Sequence, residues 1–346
     1  MRFREITLCA AVVAIVITSA SKAQSHPPLD DATPAVLHAF ETHDLVLLGE
    51  IHGNKQEYEW LRSLVATAKF ADRVDDIVME FGNSLYQSAV DRYVSGGDVP
   101  FGEVEKAWQN TVGSIGPPSP VYASLYKAVR ESNLRRRGKH KIRIVCGDPS
   151  INWDTIKERK DIYPYLSSRD VWYTQVVKNE VLAKHHRALL IMGSFHFLRN
   201  RDPQPHGMIR IEQSLRMAGA STYLIVAGTN GTADPGRVDH RFDSWRPLII
   251  AQLANTWVGD LPALPVILGG GHLRPSPPPP LTLREAADAL LYLGPRDSLT
   301  QVFTPRSQIK GTLYGRESEH RLELEGFPID YGISNEPRNE GPQFPY

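Results

Sequence analysis

The sequence predicts an α/β fold with a mostly parallel central sheet flanked by helices, and three observations lead there. Short apolar runs at 45–48, 77–79, 144–146 and 189–192 are bounded by turn-formers or charged residues and do not alternate with polar residues, as expected of strands buried on both faces of a parallel sheet. Longer stretches with apolar residues at helical spacing separate them. Each run then stops at a glycine together with a carboxylate or a histidine, and in such folds ligands sit outside the carboxyl ends of the strands.

The first unit is Asp44-Leu45-Val46-Leu47-Leu48-Gly49-Glu50-Ile51-His52-Gly53-Asn54. Its glycines let the backbone turn and approach a ligand closely. Tyr58, Leu61, Leu64, Val65 and Ala68 mark a helix over 55–70. Asp76-Ile77-Val78-Met79-Glu80-Phe81-Gly82 repeats the design and brings Glu80 to the same edge. A helix over 83–94 ends at Ser95-Gly96-Gly97. Residues 100–134 read as a helical insertion, broken by Gly113, Gly116 and Pro117-Pro118-Ser119-Pro120, that covers the C-terminal strand edge.

Lys141-Ile142-Arg143-Ile144-Val145-Cys146-Gly147-Asp148-Pro149 is the third strand. Ser167 and Asp170 have capping-box spacing at the start of a long helix reaching about residue 186. Arg187-Ala188-Leu189-Leu190-Ile191-Met192-Gly193-Ser194-Phe195-His196 is the fourth strand, and its Gly-x-x-His tip repeats that of the first. A helix over 211–218 leads to a fifth strand at 221–228, and Pro265-Val266-Ile267-Leu268-Gly269-Gly270-Gly271-His272 is expected as a sixth. Pro275–280 form a stiff surface connection. A helix over 283–289 and the run 290–294 end the core, and 326–346 is expected as a poorly ordered tail.

At 346 residues with Lys+Arg 39 against Asp+Glu 39, the chain lacks the basic excess of a nucleic-acid or anionic-membrane binder. The run Arg135-Arg136-Arg137-Gly138-Lys139-His140-Lys141 fits a solvated helix end. Arg2 and Arg4 precede an apolar segment over 6–20 followed by Ser21-Lys22-Ala23, which reads as a signal peptide over 1–23 rather than a membrane span. The expected location is therefore periplasmic or extracellular, with one α/β domain over 24–325. Cleavage leaves Cys146 as the lone cysteine, so an apolar core rather than a disulfide framework must hold the fold. Cys146 itself reads as a buried inert thiol.

Four tips thus contribute Glu50 with His52, Glu80, Asp148 and His196. Any one is explained by a strand reaching water; their convergence is what points to chemistry. Gathered carboxylates raise one another's pKa and favour protonated histidine, which suits proton transfer near neutrality. In one chemistry His52 is a general base oriented by Glu50 or Glu80, and His196 polarises a carbonyl or protonates the leaving group. In the other, His52, His196, Glu50 and Glu80 hold a divalent metal that activates water. Tight metal-ligand spacing, a Gly-x-Ser-x-Gly elbow, a phosphate loop and a dinucleotide fingerprint are all missing from the sequence.

Gly49-Glu50-Ile51-His52-Gly53-Asn54, Val78-Met79-Glu80, Arg169-Asp170 and Gly193-Ser194-Phe195-His196 resemble motifs of the superfamily that joins erythromycin esterases, ChaN haem-binding proteins and the Tiki/TraB group. The esterase branch implies macrolactone-type hydrolysis with Glu50, His52 and Glu80 in its Glu-His-Glu order, although those enzymes place two residues between the first pair and here only Ile51 intervenes. The ChaN branch is similar in its Gly-Glu-x-His start and implies haem or iron binding. The two Gly-x-x-His elements resemble the Tiki/TraB branch, which implies a metal-dependent protease. The resulting expectation is an exported esterase-like hydrolase of a small-molecule substrate. Its catalytic residues would be Glu50, His52, Glu80 and His196, with Asp148, Arg169 and Asp170 toward substrate. Haem or a divalent metal is the alternative ligand.

Overall fold

The computed structural model describes residues 27–113, 119–136, 138–199, 210–234, 237–268, 281–304 and 306–326. The expected signal segment, the glycine-rich stretch ending at His272, the Pro275–280 run and nearly all of the expected tail lie outside the described residues.

The strands are β1 (Leu29–Asp31), β2 (Leu45–Glu50), β3 (Asp76–Asn83), β4 (Arg143–Asp148), β5 (Ala188–Gly193), β6 (Thr222–Gly228), β7 (Ile249–Gln252) and β8 (Ala289–Tyr292). They form one sheet in the order β1-β7-β8-β6-β2-β5-β3-β4. From β8 to β4 every pairing is parallel; β7 runs antiparallel to both β8 and β1. Strand β5 is inserted between β2 and β3, pairing Glu50 with Gly193 and Met79 with Ile191. The tips of β2, β5, β3 and β4, which carry the candidate residues, are therefore consecutive along one sheet edge.

The helices are α1 (Ala32–Ala39), α2 (Lys55–Ala66), α3 (Ala68–Ala71), α4 (Gln87–Val94), α5 (Phe101–Gln109), α6 (Pro120–Arg135), α7 (Arg159–Glu180), α8 (Ser194–Phe197), α9 (Ile211–Met217), α10 (Ala263–Ile267), α11 (Leu283–Ala286), α12 (Arg306–Ile309) and α13 (Leu313–Glu325). Because side chains alternate along a strand, each of β2 to β8 feeds two cores, whereas β1 is exposed. Val46, Leu48, Leu189 and Ile191 pack with Leu61 and Leu64 of α2 and Leu125 of α6. Leu45, Leu47, Leu190 and Met192 pack with Val177 of α7, Leu215 of α9 and Val266 of α10. This double burial explains the unbroken apolar runs; truncating Leu47 to Ala would cost about 2–5 kcal/mol.

The 100–134 insertion supplies α5 and α6, which pack on α2, α4 and β3 and bring Tyr122 up to the strand tips. Several expectations are corrected. The expected sixth strand begins as helix α10 instead, because Pro265 lacks an N–H and fits the first turn of a helix, where none is required. The missing sheet positions are taken by β1 and β7. Ser167 and Asp170 do not begin a helix: α7 starts at Arg159, and its capping box is Glu158 with Asp161. The core does not end at residue 294, since Leu324 of α13 is buried with Val112, Ile151, Ile156 and Ile162. Among the described residues no helix is long and apolar enough to cross a membrane.

Candidate functional site

Glu50 ends β2 with its side chain buried. One of its oxygens accepts from His52 Nδ1 at 2.9 Å, and the other from the buried Tyr58 hydroxyl. Tyr58 reaches it because Asn54 caps α2 and turns the helix back beneath the tip. Glu57, from the same first turn, accepts the Ile51 N–H at 3.0 Å and so fixes the residue between Glu50 and His52. Burial and the nearby Glu50 push the Glu57 carboxyl well up.

His52 packs edge-on against Phe81, which stacks on Tyr122. Burial alone would lower its pKa, but Glu80 and Glu50 outweigh it, so the imidazole is raised above its ordinary value. The ring fits only because residue 193 is glycine: a Cβ there would lie 2.8 Å from His52 Cε1.

Glu80 was expected to orient His52, and the carboxylates to raise one another. Instead its oxygens are taken by the Gly193 N–H at 2.6 Å and by Arg169 Nη1 at 3.1 Å. Burial opposes its charge, yet Arg169, His52 and His196 together hold it down at about 2. Asp148 accepts from Arg169 Nε at 2.6 Å and from the Val112 N–H at 2.6 Å. Its burial prevails, raising it to about 6. Arg169 is held charged by these two acids despite its own burial. Its Nη2 is buried without a partner among the described residues.

Asp170, expected toward substrate, accepts from His196 Nδ1 at 2.6 Å. His196 stands on the short helix α8 after β5, its Nε2 3.9 Å from Glu80 Oε1. The structure thus brings together all seven candidates, but it ties Asp148 and Asp170 to protein groups. Sequence reasoning missed the acceptor role of Asp170 and the donors Tyr58, Val112 N–H and Gly193 N–H. Tyr58 was visible only as part of an apolar helix face, and a backbone donor leaves no mark in a sequence.

Donor atoms of Glu50, His52 and Glu80 lie within 4.8 Å of one another, a set able to hold a metal ion. Such carboxylate and imidazole ligands suit a divalent cation. Equally, the two imidazoles each have Nδ1 committed to a carboxylate, leaving Nε2 for proton transfer.

No protein-family model matches the chain, and neither does any curated protein. Solved structures do match. A protein from Bacillus cereus has a TM-score of 0.50 at 11% identity, over 78% of this chain and 92% of its own. That likeness shows a common fold. A structure described as a succinoglycan biosynthesis protein reaches 0.49 at 11% identity, covering 79% of this chain and 94% of its own. ChaN of Campylobacter jejuni, described with cofacially bound haem, reaches 0.31 at 12% identity, covering 60% and 87%. Neither of these last two is similar enough to argue from.

Proposed function

We propose that this chain is a hydrolase that directs water at an ester or related acyl bond, with His52 as general base. The observation that carries the reading is the pair of imidazole–carboxylate couples around Glu80, Glu50 with His52 at the β2 tip and His196 just after β5 with Asp170 of α7. His52 Nε2 takes a proton from water as the water oxygen bonds to the acyl carbon. Glu50, steadied by Tyr58, stabilises the resulting imidazolium through Nδ1–H. His196, held at Nδ1 by Asp170, donates a proton from Nε2 to the leaving oxygen as the acyl bond breaks, giving acid and alcohol. Arg169, whose Nη2 has no partner among the described residues, lies beside Glu80 and supplies positive charge toward the oxygen that gains charge.

Because His52 is raised, the ascending limb of the pH–rate profile, which follows the deprotonated base, should lie above the ordinary imidazole range, with a descending limb where the proton donor is lost. The test is a panel of ester and lactone substrates with wild type and His52→Ala. Hydrolysis retained by folded His52→Ala would sink the mechanism. A saturable Soret shift on hemin titration that survives His52→Ala would favour haem binding instead.

The close approach of Glu50, His52 and Glu80 donors favours a second reading. In it the three residues hold a divalent metal, which would lower the pKa of bound water. Stoichiometric metal in the purified protein, with activity lost to chelator and restored by the ion, would select this reading over metal-free catalysis.

A further inference from the structure

We propose that Arg321 and Glu325 of α13 are positioning residues of this site: they hold the 109–113 loop against Asp148 and Arg169. The helix comes from the far end of the described chain and packs on α7. Arg321 Nη1 donates to Gln109 O at 2.9 Å and to Asn110 Oδ1 at 2.7 Å, and its guanidinium lies 5.1 Å from the centre of the Trp153 ring. Four residues on, and so on the same helix face, Glu325 Oε1 accepts the Gly113 N–H at 2.8 Å.

Between these two anchors the loop turns inward. Val112 gives its N–H to Asp148, whose other oxygen holds Arg169. Gly113 has φ +67, a left-handed conformation natural to glycine, and a Cβ on it would sit 3.4 Å from Arg169 Nη1. The linkage therefore runs from α13 through the loop to Asp148 and Arg169, and from Arg169 to Glu80.

Glu325 is 5% exposed. The charged groups around it are Arg169 on α7, Asp148 at the β4 tip and Arg321 on its own helix, with Arg159 of α7 packed against the following Gly326. Burial prevails over the Gly113 N–H and Arg169 and lifts the carboxyl to about 7. A raised acid binds its proton more tightly in the clasped state than when hydrated. The hold is thus complete at acid pH, below the usual carboxylate value, and is lost as pH rises through about 7.

The proposal deepens the reading of the site given above and shares its assumption that Arg169 serves the reaction, but its test needs no substrate. Hydrogen exchange of peptides covering 109–113 is measured by mass spectrometry at pH 6 and pH 8 and corrected for intrinsic rates. In wild type, the loop should open roughly tenfold more at pH 8. Glu325→Gln keeps an acceptor for Gly113 without the charge, and should be at least as protected at pH 8 as wild type is at pH 6. Arg321→Ala should expose the loop at both values. Wild-type exchange that ignores pH, or a Glu325→Gln protein that follows the wild-type pH dependence, would overturn the proposal. Either result leaves the hydrolase reading to its own substrate test.

Discussion

Asp76 and Glu80 lie four residues apart on the same face of β3, both buried, yet their surroundings drive their carboxyls in opposite directions. Asp76, at the start of the strand, accepts from His186 Nδ1 at 2.7 Å, and Arg143 stands 3.8 Å away, shared with Asp91 and Glu180. Burial wins there and the carboxyl is raised. Glu80, near the other end, has Arg169 at 3.1 Å, a backbone donor and two imidazoles nearby, and is held at about 2. Equal burial therefore does not decide the charge, and neither does one near guanidinium, since Asp148 is raised with Arg169 at 2.6 Å; the summed pull of the cations and donors around each carboxyl does. Nor does a histidine–carboxylate couple by itself make a site. His186 with Asp76 is one such couple at the strand starts, whereas the strand tips carry two couples facing a shared carboxylate.

That comparison can be broken at the arginines. Arg169→Ala strands two buried acids and should cost about 3–5 kcal/mol in denaturant unfolding. Arg143 is a quarter exposed, so Arg143→Ala should cost only about 1 kcal/mol. Equal losses would contradict the contrast. Next come the carboxylates. The depressed Glu80 stabilises the fold above the usual carboxylate value and loses that contribution as pH falls from about 4.5 to about 2. Over that window the loss should be roughly 3 kcal/mol. Glu80→Gln should therefore flatten the acid limb of the stability curve. Asp76 is raised, so its contribution lies below the ordinary aspartate value and is lost as pH rises through the shifted one. Asp76→Asn at neutral pH should fall within about 1 kcal/mol of wild type. A similarly small effect is expected from Tyr58→Phe. It removes one donor to Glu50 and should cost about 1 kcal/mol, with less than a tenfold fall in turnover.

What the sequence revealed follows from the range of the interactions. Buried parallel strands write themselves as apolar runs, and a Gly-Glu-x-His tip is contiguous, so Glu50, His52, Glu80 and His196 could be found by inspection. The sheet order could not, because β5 enters between β2 and β3 through pairings more than a hundred residues apart. Asp170 was misread for a local reason: Ser167-x-x-Asp170 matches a cap, while the helix already begins at Arg159 and tolerates Pro164 within it. In α13 the charged residues mask the buried Leu322 and Leu324, so the helix was taken as lying beyond the core. The compact β7, four residues long, was too short to signal itself beside the apolar 265–268 run, which became helical.

We propose that the two imidazoles at the strand tips, and not the one at the strand starts, perform hydrolysis. It is tested most directly by the kcat/KM of wild type, His52→Gln, His196→Gln and His186→Gln on the best ester found in the substrate panel. A loss of at least about a thousandfold for His52→Gln, about a hundredfold for His196→Gln and little change for His186→Gln is the expected pattern. Hydrolysis at the wild-type rate by a folded His52→Gln protein would contradict it.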